Sequence, residues 1–398
     1  MMDFEFTEEE QAFREEVEKF ALSEMPPEVE ERTYLWPGGY GTLPIFEKEF
    51  EEFCRNFLLK LGKRGWLSLG WPERYGGVNS IIKQTIVDDV LSYHRAPFGS
   101  AATFIVAPTL IRFGSDEMKD KWMPGIISGT TSFWLGYSEP DVGSDLSSVK
   151  TTAVKDGNEY VINGQKIWSS GAHVTDCCWL LAKTDDTSKH KGMSLFIVDN
   201  NTPGITIRPI TNIAGVDSFN EVFFDDVRVP EKNLVGEENK GFYYVMSALE
   251  HERIKIGFGT FRRILDELTQ YVKEKKKTSG NTREYEEARN IVASMAIEVE
   301  ILKGFFWRTV WMMDNGFPIN VEASALKLFC SELGVSLSNA AVDILGLYGQ
   351  LDKGSKWTQF GGRAGIGYLD SISGPIGAGS SEIQRVLIAT SGLGLPRR

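Results

Sequence analysis

Two short stretches carry residue types able to hold a large ligand: Gly136-Tyr-Ser-Glu-Pro-Asp-Val-Gly-Ser-Asp145, and Gln165-Lys-Ile-Trp-Ser-Ser170 just downstream. Gly143 has no Cβ to keep a ligand off the backbone. Ser138 and Ser144 add hydroxyls and backbone N–H groups suited to a polar ring or a phosphate. Trp168 offers a flat apolar face with the hydrogen-bonding groups of Ser169 and Ser170 beside it. That combination fits a large heteroaromatic cofactor. Taken singly, a glycine-serine loop and a core tryptophan account for each piece more simply.

These stretches need a scaffold, and 398 residues are enough for two or three domains. A composition of 42% hydrophobic and 25% charged residues is ordinary for a soluble globular chain. The net charge of −12 argues against non-specific nucleic-acid binding and against docking on an anionic membrane. Cys54, Cys177, Cys178 and Cys330 show no zinc-like spacing, and His94, His173, His190 and His251 are scattered, so no metal site is expected. The acidic N-terminus lacks the order of a signal peptide, and no apolar run reads as long enough to span a bilayer. The expectation is a reduced, cytoplasmic protein with no membrane insertion.

Along the chain the periodicity changes twice. Residues 1–129 read as an α-helical domain. Thr7 and Glu10 form a capping box before Phe13, Val17, Phe20 and Ala21, and Ser115 stands as the N-cap of a later helix. Residues 130–236 alternate β-rich runs with Asp-Gly and Asn-Gly turn signals at Gly157 and Gly164, which predicts a central antiparallel β domain. Residues 237–398 return to the helical period over about 238–275, 284–314, 319–346 and 380–392, a C-terminal four-helix bundle. The fold class is α+β. The Gly- and Ser-rich connection 349–379 is long enough to suggest a functional loop.

Ser138-Glu-Pro-x-x-Gly-Ser-Asp145, followed by Tyr160-Val-Ile-Asn-Gly-Gln-Lys-Ile-Trp168, resembles the flavin-binding signature of the acyl-CoA dehydrogenase family. The resemblance runs over almost the whole chain, through Leu249-Glu-His-Glu-Arg253 to Ser381-Glu-Ile-Gln-Arg385. It implies FAD as cofactor, an acyl-CoA substrate, and an electron-transferring flavoprotein as acceptor. It also implies a tetramer, either homo- or hetero-oligomeric. Leu135, Tyr137, Ser138, Gly143 and Ser144 are expected to line the flavin and its pyrophosphate, and Ser144 the substrate as well. Trp168 is expected at the isoalloxazine edge, Ser170 near N5, and Ser380 and Glu382 at the cofactor from the C-terminal segment. Val142 departs from the family, which usually has a small residue there.

Dehydrogenating a thioester takes a carboxylate to remove the α-proton, an oxyanion stabiliser, and a hydride acceptor. Most of the family places that carboxylate where this chain has Ala378, whose side chain cannot act as a base. The Ala378 N–H is still expected at the thioester oxygen. A branch of the family carries the base on the first long C-terminal helix, directly before an arginine, and Glu252-Arg253 matches it. Glu252 is therefore the expected base, with Arg253 at the substrate mouth. Glu250 lies ~200° away around the helix and cannot share the role. A surface carboxylate pairing with a neighbour is the bland alternative for Glu252, but the loss at Ala378 together with the Glu-Arg pair favours the base.

Two departures put the adenosine half of the site in question. The family's Arg-x-x-Phe-Gly stretch is missing from Lys277–Arg289, and Asp343 replaces a usual glutamine. Such losses resemble the sub-branch that acts on bulky, cyclic or steroid side-chain thioesters. Arg95 lies near where a glutaryl-type relative binds a second carboxylate, although an arginine on a solvated helix end explains it more simply. Three readings stay open. One is a dehydrogenase forming the trans-2,3-enoyl-CoA of a bulky, cyclic, branched or dicarboxylic acyl group. Another is a half-site or non-catalytic subunit of a hetero-oligomeric enzyme. The last is an oxidase or lyase on the same fold.

Overall fold

A computed structural model describes residues 5–27, 29, 50–185, 191–252, 257–278 and 282–396, with the side chains of 249–252, 278 and 282 outside the description. The chain packs as two compact units. One comprises Met1–Pro44, Ser80–Phe98 and Arg253–Arg398; the other comprises Ile45–Asn79 and Gly99–Glu252. The N-terminal helices are divided between them.

The second unit is built on a seven-stranded sheet: β1 (Phe133–Gly136), β2 (Thr152–Asp156), β3 (Glu159–Lys166), β4 (Cys177–Lys183), β5 (Met193–Asp199), β6 (Ile205–Ile210) and β7 (Phe219–Pro230). The order is β1-β4-β2-β3-β7-β6, with β5 on β4. Most ladders are antiparallel, as the hairpin signals predict, but β1 and β2 run parallel to β4. β2 meets β4 at one registered pair, Thr152 with Lys183. β4 and β5 read as continuous apolar runs because both faces are covered. Trp179, Leu181, Leu195 and Ile197 face one core, while Cys178, Leu180, Phe196 and Val198 face another.

Asp156 and Glu159 close the predicted Asp-Gly hairpin, with Gly157 at φ +64°. The second signal is corrected by the structure: Asn163-Gly164 is no turn but a bulge inside β3, where the register shifts between Ile162 and Gly164. A Cβ on Gly164 would lie 2.6 Å from the Thr151 hydroxyl, so close packing rather than chain reversal requires the glycine. Helices α2 (Glu51–Lys63), α4 (Ala107–Phe113), α5 (Asp116–Ser128) and α6 (Gly241–Glu252) complete this unit. Ser115 caps α5 by accepting from Met118 N.

The first unit contains α1 (Glu8–Glu24), α3 (Ile81–Tyr93), α7 (Phe258–Thr278), α8 (Thr282–Asp314), α9 (Asn320–Leu345), α10 (Arg363–Ser371) and α11 (Ser381–Leu387). The capping box is present: Glu10 N donates to Thr7 Oγ1, and Thr7 N to Glu10 Oε2. The helix predicted over 238–275 is described in two pieces, α6 and α7, with 253–256 outside the described residues. Contrary to the hydropathy expectation, the segment Asn320–Gln350 is long and apolar enough to cross a membrane. Its apolarity has a local cause, because α9 is the central helix of its unit and buries Leu326, Leu333, Leu337 and Ile344 in the core shared with α7 and α8.

Candidate active site

β1 ends at Gly136 and feeds a tight turn. Glu139 N donates to Val142 O at 2.8 Å, and Val142 N returns to Glu139 O at 2.9 Å. The sequence outlier Val142 is buried in the core against which Tyr137 packs. The Glu139 carboxylate accepts from Lys150 N at 2.7 Å, Thr151 N at 2.9 Å and Lys166 Nζ at 2.9 Å. Lys166 Nζ also donates to Tyr137 O at 3.1 Å. Burial alone would push the Glu139 carboxyl up, but the Lys166 ammonium and the Thr151 N–H outweigh it and hold it below its ordinary value. Complete burial pulls Lys166 below the ordinary lysine value despite that carboxylate.

Past the turn, Gly143 and Ser144 are exposed, and Asp145 is fixed by the hydroxyls of Ser147 and Ser148. A Cβ on Gly143 would meet nothing within 4 Å among the described residues, and its φ is not positive. Nothing in the packing of the described residues asks for a glycine here. Ser138 is half-buried, and its carbonyl accepts from Ile167 N at 3.0 Å, which joins the two expected ligand stretches directly. Leu135, half-buried in β1, sits opposite Trp179.

Trp168 takes the left-handed backbone (φ +58°), is 57% exposed, and meets the Phe219 ring edge-on at 6.2 Å between centroids. A tryptophan in that region is an outlier, tolerated because its neighbours are pinned. Ser169 N donates to Asn220 O, Asn220 Nδ2 donates back to Ser169 O at 2.8 Å, and Gly171 N donates to Ser218 O. His173 Nδ1 bonds the Asn220 side-chain oxygen at 3.0 Å. Ser170 is half-buried beside this network. The Ser169 hydroxyl is buried and finds no partner among the described residues.

Ala378, Ser380 and Glu382 belong to the other unit. Ala378 and Gly379 both have positive φ, +51° and +86°, and Gln384 Nε2 holds the turn by donating to Gly379 O at 3.0 Å. Ser380 caps α11 through Ile383 N, and Glu382 is exposed in its first turn. The free N–H of its own backbone and the Ser380 hydroxyl hold the Glu382 carboxyl below its ordinary value. Arg95 departs from expectation. Its left-handed backbone (φ +56°) turns the side chain inward, where it is 1% exposed and donates to Glu267 at 2.7 Å. That pairing leaves the second-carboxylate role without support. Arg253 lies outside the described residues. Glu252 is the last residue of α6, and its side chain lies outside the description.

Sequence reasoning missed Glu139, Lys166 and Asn220. The pattern held the signal for one of them: Lys166 falls on the inward face of β3 with Tyr160 and Ile162, and a lysine there requires a buried acid. The exposed Trp168 face, the orphaned Ser169 hydroxyl, the open space at Gly143 and the Ser138 and Ser144 hydroxyls fit a flat heteroaromatic carrying a phosphate chain. The site residues therefore suit a flavin nucleotide.

Three family models match consecutive segments: the acyl-CoA dehydrogenase N-terminal domain over residues 7–130, middle domain over 135–227 and C-terminal domain over 239–393. "Acyl-CoA dehydrogenase FadE26" of Mycobacterium tuberculosis is 33% identical over 411 residues, covering 100% of this chain and 99% of that protein. A solved structure described as "Tcur3481-Tcur3483 steroid ACAD" superposes with a TM-score of 0.89 at 30% identity, covering 100% of both chains. The ChsE4-ChsE5 complex from Mycobacterium tuberculosis gives 0.87 at 32% identity, again over 100% of both chains.

Proposed function

The chain belongs to the acyl-CoA dehydrogenase family, oxidoreductases acting on the CH–CH group of acyl-CoA, and on that premise we propose that it binds FAD and forms a trans-2,3-enoyl-CoA. The observation that carries the flavin reading is Gly143, a glycine that neither backbone strain nor protein packing explains, on the loop bonded to the Trp168 segment. Bound flavin supplies the acceptor for the β-hydrogen. The chain's own part is to hold that cofactor with Ser138, Ser144, Trp168 and Ser170, to keep the thioester oxygen on a backbone N–H at Ala378, and to take the α-proton on Glu252. The acceptor of the electrons in this proposal is an electron-transferring flavoprotein.

A bulky or cyclic acyl group is the preferred substrate class, supported by the steroid ACAD of similar fold. The dicarboxylic option loses its arginine to Glu267. Assembly as a tetramer is part of the proposal, supported by exposed Ile297, Ile301, Leu347, Trp357, Ile376 and Leu393 on one unit. Light scattering that finds a monomer at micromolar concentration would reject it.

The alternative is a half-site subunit, favoured by the missing Arg-x-x-Phe-Gly stretch and by two relatives whose descriptions name paired chains. Titrating the purified chain with FAD and then with a panel of acyl-CoA thioesters separates the two. Bleaching of bound flavin by one of them supports the enzyme. A chain that takes up flavin only with a second protein supports the half-site. In the same titration, Gly143→Ala is expected to leave the melting temperature of the flavin-free protein unchanged and weaken FAD binding by ~10-fold. Unchanged FAD affinity would remove Gly143 from the cofactor.

A further inference from the structure

We propose that Glu139 and Lys166 are positioning residues for the flavin, their buried ion pair locking the 137–144 loop and the 166–170 segment in one register across a seam in the sheet. The inference rests on the flavin reading above and concerns how this chain shapes that site.

The seam follows from the strand pairing. β1, β4 and β5 form one group, and β2, β3, β7 and β6 another. Between them the ladder holds one registered pair, Thr152 with Lys183, supplemented by Lys183 N donating to Thr151 O at 2.8 Å. The two expected cofactor stretches come from opposite sides: the 137–144 loop continues β1, and the 166–170 segment continues β3. β1 and β3 share no ladder, so the sheet itself does not fix their relative height.

Three contacts do. Ile167 N reaches Ser138 O, Lys166 Nζ bridges Tyr137 O and Glu139 Oε1, and the Glu139 carboxylate gathers Lys150 N and Thr151 N, the last residues before β2. Lys166 is 0% and Glu139 4% exposed. Burying a full ion pair is a poor way to gain stability, since apolar side chains of similar volume serve as well or better. An apolar pair, however, cannot collect a carbonyl from one segment and two backbone N–H groups from another. The directional bonds are what the pair adds, and they meet where the loop turns toward Gly143 and Ser144.

The test compares the parent chain, Lys166→Met, and the double variant Glu139→Gln/Lys166→Met, each purified and titrated with FAD. Three quantities are read: the melting temperature without flavin, the FAD dissociation constant, and the visible circular dichroism of bound flavin, which reports ring orientation. Lys166→Met strands a buried carboxylate and is expected to lower the melting temperature, raise the FAD dissociation constant and alter the dichroism. The double variant removes both charges, so most of the melting temperature returns, while FAD binding stays ~10-fold weaker than the parent and the dichroism stays altered. Parent-like affinity and dichroism in the double variant would make the pair a matter of stability alone and overturn the proposal. Should the double variant fail to fold, Glu139→Gln alone, which keeps an acceptor for the N–H groups, decides by the same two flavin readouts. A parent chain that binds no FAD rejects the flavin reading itself, and the positioning role with it.

Discussion

Glu252→Gln is expected to leave FAD and acyl-CoA binding in place while flavin reduction by substrate falls by ~10²–10⁴-fold. At the position where most of the family carries its base, this chain has Ala378, a methyl group on a left-handed backbone. The matched alternative is the final residue of α6. Between an acyl chain and a flavin the charged form of a carboxylate is disfavoured, so its pKa is expected to rise toward the working pH when substrate binds. Rapid-mixing measurement of flavin bleaching is the check, with Glu250→Gln as the control. Glu250 lies ~200° around the helix from Glu252 and is expected to matter little. A Glu252 variant that bleaches near the parent rate transfers the role to Glu250 or to a partner chain.

Glu267→Gln is expected to destabilise its unit by about 3 kcal/mol, a melting shift of roughly 6–12 °C. One carboxylate there receives three guanidinium groups: Arg95 at 2.7 Å, Arg263 at 3.0 Å and Arg363 at 3.5 Å. Arg95 and Arg363 are buried, so removing the Glu267 charge takes a counter-ion from two guanidinium groups held out of water. Glu287→Gln, breaking the exposed pair with Arg283, is expected to shift melting by no more than experimental scatter. Burial would push the Glu267 carboxyl up, but Arg95, Arg363 and Arg263 overcome it and hold it below its ordinary value. Because the folded value is the lower one, this stabilisation is complete above the ordinary glutamate pKa and is lost as pH falls through the depressed value. Parent and variant melting temperatures therefore converge in acid. A gap that stays constant with pH would mean the charge is not what stabilises the cluster.

What the sequence disclosed depended on whether a residue's cause was local. The Thr7–Glu10 capping box and the Ser115 cap are settled within four residues of chain, and both formed. Turn signals and β-rich runs marked the β region but not β1, and they could not tell the Asn163-Gly164 bulge from a turn, because the deciding atom is the hydroxyl of Thr151, thirteen positions before Gly164. Arg95 was misread for the same reason: its partner is 172 residues away. Trp168, Gly143 and the serines stood out in the sequence because their chemistry is unusual, and the structure leaves Trp168, Gly143 and Ser144 exposed. Glu139 and Asn220 were not, since a charged or amide side chain in the core declares itself only once its partners are in place.

The apolarity of α9 has a consequence for the newborn chain. A helix that can pass for a membrane span is safe only when covered, and part of its cover, α10 and α11, is encoded after it. At a synthesis rate of ~5–20 residues per second, α9 waits seconds for those partners, bare on the side they will occupy. During that interval it displays what chaperones and membrane-insertion machinery select for. A helix at the centre of the finished core is thus one in need of escort while the protein is being made.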